Sequence, residues 1–378
     1  MTPAEFRPGL EGVIADESAI CEVHESSGDL LYRGYRIGDL AEHATFEEVA
    51  YLLLQGELPR TAELAAFRAQ LSEAAAIPET VVSILGSLPA GAHPMDLLRT
   101  AVAALGCLDP QAGSIEREAL LAKSTALLAR LPVVTATAWR LANDREPIEP
   151  EPGLYANGVA AGLLYLITGQ APDTLAARAL DVSLILYAEH QFNASTFAAR
   201  VTASALSDLY SAITSAIGTL KGPLHGGANE RVMAMLKAIG RPEDAEPWTR
   251  TALERHERIM GFGHRVYKHG DSRSEIIKEW SRRLGEARGE TNWFAISEII
   301  ERLMADEKGF YPNLDFYSAS TYAFIGLAPE LYTPVFACSR VAGWCAHVIE
   351  QIGHNRLIRP RCRYTGPAPR AFLRLDER

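Results

Sequence analysis

The sequence predicts a nearly all-α protein, and three observations carry that reading. Apolar residues recur at helical spacing through most of the chain. The periodic segments are filled with Ala, Leu, Glu and Arg, which are strong helix formers. No alternation of strand and helix patterns is present, so a parallel α/β sheet is not expected. At 378 residues, 48% hydrophobic and 22% charged, the chain is long enough for two domains and apolar enough to bury a substantial core.

Residues 10–37 alone have β character. Short runs at Val13 and Ile14, Ala19 to Val23 and Leu30 to Tyr32 are broken by Asp16, by the Ser26-Ser27-Gly28-Asp29 turn and by Gly34, which predicts a small hairpin. Thr45 then offers an N-cap with Glu47 and Glu48 in the first turn, followed by Val49, Leu52, Leu53 and a stop at Gly56. A second helical segment opens at Pro59, with Leu64, Phe67 and Leu71 on one face. Helical patterns continue over 94–105, 114–131, 133–142 and 174–188, and the three prolines of 143–153 mark a connection. Later patterns cover 230–239, 248–259, 275–285 and a helix running to about Ile352. There is no internal repeat. The phosphate-loop, nucleophile-elbow, zincin and strand-linked dinucleotide motifs are absent.

Charge narrows the partners. A net charge of −10 argues against nucleic acid or a membrane surface, both of which favour a basic field. Two stretches run the other way: Arg255 to Arg288 holds nine Lys/Arg against five Asp/Glu, and Arg359, Arg361 and Arg363 cluster near the end. An acidic protein with local basic stretches suits a small anionic ligand. Five cysteines without a C-x-x-C fit neither a disulfide framework nor a zinc ribbon. The N-terminus lacks an apolar leader and no apolar run approaches the ~18 residues of a membrane span, so a cytoplasmic location is expected.

Five segments could carry chemistry. In Met260–Arg273, Gly261 and Gly263 break a helical pattern just before His264, with Lys268 and Arg273 following; a glycine turn with solvated charges is the plainer account. Gly222 to Asn229 delivers His225 ahead of a helix, where the dipole would keep the imidazole neutral and able to donate to an oxyanion; a simple loop histidine is the alternative. Asp315 follows a proline turn among Leu314, Phe316 and Tyr317, where desolvation would raise its pKa and make it a better base; an Asx-turn or cap competes. His190 ends an apolar helix, as a core histidine also would. Arg340 lies within an apolar helical run and requires an anion. Taken together, a neutral electrophilic His, a second His, an Asp base and several Arg match proton abstraction α to a carbonyl and addition of the carbanion to an anionic electrophile. A metal-binding or purely structural helical protein is the rival class. Against it, no two of His190, His225, His264 and Asp315 fall three or four apart, and nearby arginines repel a cation, so no metal is expected.

Gly-Pro-Leu-His-Gly-Gly-Ala-Asn at 222–229, Gly-Phe-Gly-His-Arg-Val-Tyr-Lys at 261–268 and Pro-Asn-Leu-Asp-Phe-Tyr-Ser at 312–318 resemble the signature segments of the citrate synthase family. Glu-His-Gln-Phe-Asn-Ala-Ser-Thr at 189–196 and Ile-Arg-Pro-Arg-Cys-Arg-Tyr-Thr-Gly at 358–366 resemble its other characteristic pieces, and the N-terminal region is similar to the bacterial dimeric form. The resemblance spans essentially the whole chain. It implies a citrate synthase-like two-domain helical fold: residues 1–225 and 331–378 as a large domain, and 226–330 as a small mobile one.

It further implies that Asp315 deprotonates acetyl-CoA, His225 stabilises the enol(ate) and His264 polarises the oxaloacetate ketone. His190, Arg273, Arg340 and, across a homodimer interface, Arg359 would hold oxaloacetate; Lys268, Lys308 and Arg361 would meet the coenzyme A phosphates. Acetyl-CoA would be a co-substrate, no cofactor would be permanently bound, and the reaction would serve the tricarboxylic acid cycle. A 2-methylcitrate synthase using propionyl-CoA is the alternative within the family. Ser272 and Ala319 depart from the family's usual proline and glycine. The short N-terminal region implies a dimer with little NADH inhibition.

Overall fold

A computed structural model of the protein describes residues 6–24, 28–263 and 270–378. Near the N-terminus, β1 (Cys21–His24), β2 (Asp29–Tyr32) and β3 (Tyr35–Arg36) form an antiparallel sheet, with Cys21 opposite Tyr32 and Leu31 opposite Arg36. The expected hairpin is therefore present and gains a third short strand. Val13 and Ile14 join no strand. They sit in an exposed, irregular stretch.

Helices follow almost without interruption: α1 (Ile37–His43), α2 (Phe46–Gln55), α3 (Thr61–Ala74), α4 (Glu79–Ser87), α5 (Pro94–Leu108), α6 (Arg117–Ala142), α7 (Val159–Thr168) and α8 (Thr174–Tyr187). Thr45 and Glu48 form the capping box of α2, and Gly56 ends that helix with φ 97°. The sequence suggested a break at Pro132, but α6 runs through it. A proline removes one helical hydrogen bond, and burial of α6 against α3, α5, α7 and α16 outweighs that loss. Contrary to the sequence expectation, α6 is long and apolar enough by composition to cross a membrane. However, 67% of its most apolar window is buried inside the fold, which is how a core helix behaves.

The second half comprises α9 (Ala194–Ser204), α10 (Leu209–Leu220), α11 (Ala228–Ile239), α12 (Pro242–Glu254), α13 (Ser272–Arg288), α14 (Asn292–Lys308), α15 (Leu314–Ile325) and α16 (Tyr332–Gly353). The α12 helix ends five residues short of the sequence expectation of 259, because His256 adopts a left-handed φ of 56°. Buried nearly along its whole length, α16 packs on α2, α6, α8, α9 and α10. Helices α11 to α15 pack mainly on one another, while α13 and α15 also touch α8. Beyond α16 the chain is an exposed tail.

Candidate active site

A cavity of about 790 Å³ opens among the loop after α8, the loop before α11, the glycine segment after α12 and the start of α15. His190, His225, Asn313 and Asp315 all line it, so residues spread over 125 positions (315 minus 190) meet at one surface. Residues 9–13 and 15 form another wall.

Asp315 is fixed first by its backbone. Asn313 caps α15, and its side-chain oxygen accepts the Asp315 N–H at 3.1 Å. The carboxylate accepts a hydrogen bond from the Tyr187 hydroxyl at 2.7 Å. Burial nevertheless dominates and raises its pKa to about 6, against the lowering effects of Tyr187, Arg273 and Arg340. Desolvation, read from Leu314, Phe316 and Tyr317 in the sequence, thus outweighs the opposing charges.

His225 is the complementary group. Its Nε2 lies 2.8 Å from the Ser195 hydroxyl and accepts the Ser195 backbone N–H at 3.3 Å. A backbone N–H can only donate, so that contact assigns the ring proton to Nδ1. Burial, with a smaller contribution from Arg340, pushes the pKa down to about 3 and keeps the ring neutral. The direction matches the sequence reading, but the causes are burial and a cation; α11 begins only at Ala228. The Ser195 hydroxyl is itself held by Asn193 at 2.8 Å and receives the Trp344 indole N–H at 3.1 Å.

The α12 helix ends at Glu254, before the glycines expected to break it. Gly261 and Gly263 have φ of 82° and 80°. A Cβ at Gly261 would lie 2.7 Å from the Phe316 ring, so only glycine permits this approach. The segment is tied to the start of α15: Asn313 N–H donates to Gly261 O at 2.9 Å, and its side-chain amide donates to Gly263 O at 3.2 Å. These bonds end one residue before His264. His264 and Lys268 lie outside the described residues.

The arginines sit behind the cavity. Arg340, 2% exposed on α16, donates through Nε to Tyr187 O at 2.6 Å, and its guanidinium lies 4.7 Å above the Phe336 ring. Phe336 also touches Tyr187 and His225, with ring centroids 4.3 and 6.3 Å away. Among the described residues Arg340 has no carboxylate partner within ion-pair distance. Arg273 is buried at the start of α13 and already holds both Asp271 oxygens, at 2.9 and 2.7 Å. Neither arginine lines the cavity, and nor do Arg359, Lys308 or Arg361, which are exposed. Ser272, one of the two sequence departures, donates its backbone N–H to Gly28 O at 3.2 Å, a bond proline could not make. Among the described residues, no three of His, Cys, Asp and Glu converge as metal ligands.

Sequence reasoning missed Tyr187, Ser195, Asn313, Trp344 and Arg258, the last also a cavity wall. Ser195 and Asn313 lay inside the quoted segments. Tyr187 and Trp344 read as core aromatics in apolar helices, and only the folded contacts distinguish them.

The profile described as "Citrate synthase, C-terminal domain" matches residues 9–361. Similar curated proteins include Citrate synthase 2 of Bacillus subtilis, 47% identical over 371 residues and covering 98% of each chain. A 2-methylcitrate synthase of Shewanella oneidensis is 45% identical over 370 residues, covering 98% of this chain and 97% of its own. Among solved structures, citrate synthase from Pyrobaculum aerophilum superposes with a TM-score of 0.91 at 40% identity, over 98% of this chain and 94% of that one. The Thermoplasma acidophilum citrate synthase, in a ternary complex with carboxymethyl coenzyme A and oxaloacetate, gives a TM-score of 0.93 at 34% identity, over 99% of this chain and 100% of that one.

Proposed function

This chain belongs to the citrate synthase family, and we propose that it condenses acetyl-CoA with oxaloacetate through the residues assembled at the cavity. The observation that carries the proposal is the pairing of Asp315, raised to about 6, with a neutral His225 on one cavity wall. A carboxylate poised near neutrality removes a methyl proton efficiently, and Nδ1–H of His225 donates to the thioester oxygen as the enolate forms. The imidazole keeps its proton because burial and Arg340 oppose a second positive charge.

Arg340 has cationic valence to offer an anion, and Arg273 can share its guanidinium between Asp271 and a substrate carboxylate. With His190 they hold oxaloacetate, while His264 polarises its ketone. The enolate carbon attacks that ketone to give the citryl thioester, and water hydrolyses it to citrate and free coenzyme A. Residues 226–330 form the smaller domain that closes on the remainder, excluding water while the enolate exists. Lys268, Lys308 and Arg361 meet the coenzyme A phosphates, and the enzyme serves the tricarboxylic acid cycle in the cytoplasm as a homodimer.

The test is loss of thioester absorbance with oxaloacetate present, comparing acetyl-CoA and propionyl-CoA. One methylene is worth about 10–200-fold in kcat/KM, so a clear propionyl preference would assign the 2-methylcitrate reaction instead. Arg359 is exposed on the tail after α16 and serves the partner's site in this reading. Asp315→Asn and Arg359→Ala chains, each nearly inactive, should then regain activity when refolded together. One site of the mixed dimer carries both lesions and the other carries neither. If Arg359 served its own chain, mixing would restore nothing.

A further inference from the structure

A second set of charges lies beside the site without taking part in the chemistry above. Arg200, on α9 and 2% exposed, donates to Glu350 at 2.7 Å, to Asp16 at 3.1 Å and to His347 Nδ1 at 3.1 Å. Because an arginine can only donate, His347 Nδ1 accepts, and Nε2–H donates to Glu189 Oε1 at 2.9 Å. The guanidinium also lies 4.5 Å above the ring of Phe192, a cavity wall two residues after His190. Glu350 accepts the Ala19 N–H at 2.9 Å. One buried side chain thus joins α16, the loop after α8 and the N-terminal segment.

Further tethers of that segment sit at its two ends: Ala19, whose carbonyl also accepts Arg33 at 3.3 Å, and Phe6, whose ring lies under Arg363. Residues 6–19 are exposed and contain no strand, and their described secondary structure is a single turn at Pro8–Leu10. Yet Gly9 to Val13 and Ala15 wall the cavity that His225 and Asp315 also line. Asp16, whose side chain is 43% exposed, is the next residue. An extended stretch without its own core or ladder stays in place only through such tethers. The segment shares the cavity with His190, His225 and Asp315, whereas Arg273 and Arg340 do not line it. It therefore borders the reaction space.

We infer that Arg200 is a positioning residue which, through Asp16, fastens the 9–15 segment as a wall of the reaction cavity. This rests on the condensing reaction proposed above. Asp16→Ala is the informative variant, since it removes the half-exposed partner and leaves the buried Arg200–Glu350–His347 contacts in place. It should raise KM for acetyl-CoA, for oxaloacetate or for both about three- to tenfold, the loss expected of one partly exposed charged hydrogen bond. The Tm should change little. Independently of turnover, a Glu-specific protease should cut after Glu11 and Glu17 faster in Asp16→Ala than in the wild type, followed by mass spectrometry. Unchanged KM for both substrates with unchanged cleavage would overturn the inference. So would losses that follow a falling Tm, which is the mark of a merely structural contact. A wild-type protein without condensing activity would sink the functional reading, while the cleavage comparison would still decide whether Asp16 fastens the segment.

Discussion

Two buried clusters of charge invite comparison, one around Glu47 and the other around Asp315. Glu47, 1% exposed on α2, accepts the Val159 N–H at the start of α7 at 2.7 Å and pairs with Arg68 at 3.0 Å. Its neighbour Asp181, on α8, accepts the Phe46 N–H at the start of α2 at 3.0 Å and pairs with Arg178. Both carboxylates therefore cap helix starts while each holds an arginine. At the cavity, by contrast, Arg340 has no acidic partner among the described residues, and Asp315 and His225 face open space. Burial and Glu47 push the Asp181 carboxyl up, in the same direction as burial pushes Asp315. A perturbed pKa does not distinguish the clusters. What separates them is whether the hydrogen-bonding capacity is used up within the protein or left directed at a cavity.

The largest expected effect breaks the chemistry and leaves the fold. Asp315→Asn should lower kcat by about a thousandfold, within the range for loss of a general base, with oxaloacetate affinity nearly intact. Stability should move the opposite way. The folded pKa of Asp315 is raised above its ordinary 3.8, so ionisation opposes folding: the penalty is absent below the unfolded pKa and complete above about 6. A neutral Asn escapes it, and thermal melting at neutral pH should show a higher Tm. A lower Tm would mean that the carboxylate has partners beyond Tyr187.

Glu47→Ala should do the reverse. It strands the Val159 N–H and the Arg68 guanidinium, and should cost about 3 kcal/mol or more in denaturant unfolding. Turnover per folded molecule should stay within about twofold, since Glu47 touches nothing at the cavity. A loss of kcat without a loss of stability would erase the contrast between the clusters.

The smallest effect is a displacement of pH dependence. Proton abstraction requires ionised Asp315, so wild-type kcat/KM should fall as pH drops through about 6. Tyr187→Phe removes the hydroxyl that stabilises the carboxylate and should move this limb upward by about one unit. An unmoved limb would assign it to another group.

Much of the fold was legible because helical periodicity and capping are local. Thr45, Glu48 and Gly56 bounded α2 in the sequence as they do in the structure. Pro132 misled for the same reason: locally it breaks a helix, and only burial of α6 among its neighbours keeps the helix continuous. At the site, the sequence by itself identified the reactive residue types, the glycine pair at 261 and 263 and the desolvated setting of Asp315. Tertiary structure decided what those groups can do. The Ser195 backbone, thirty positions from His225, sets the imidazole tautomer, and Tyr187, 128 positions from Asp315, steadies the base. A hydrogen bond between distant residues leaves no periodic trace in either segment, because its geometry exists only once α8, α9 and α15 have packed together.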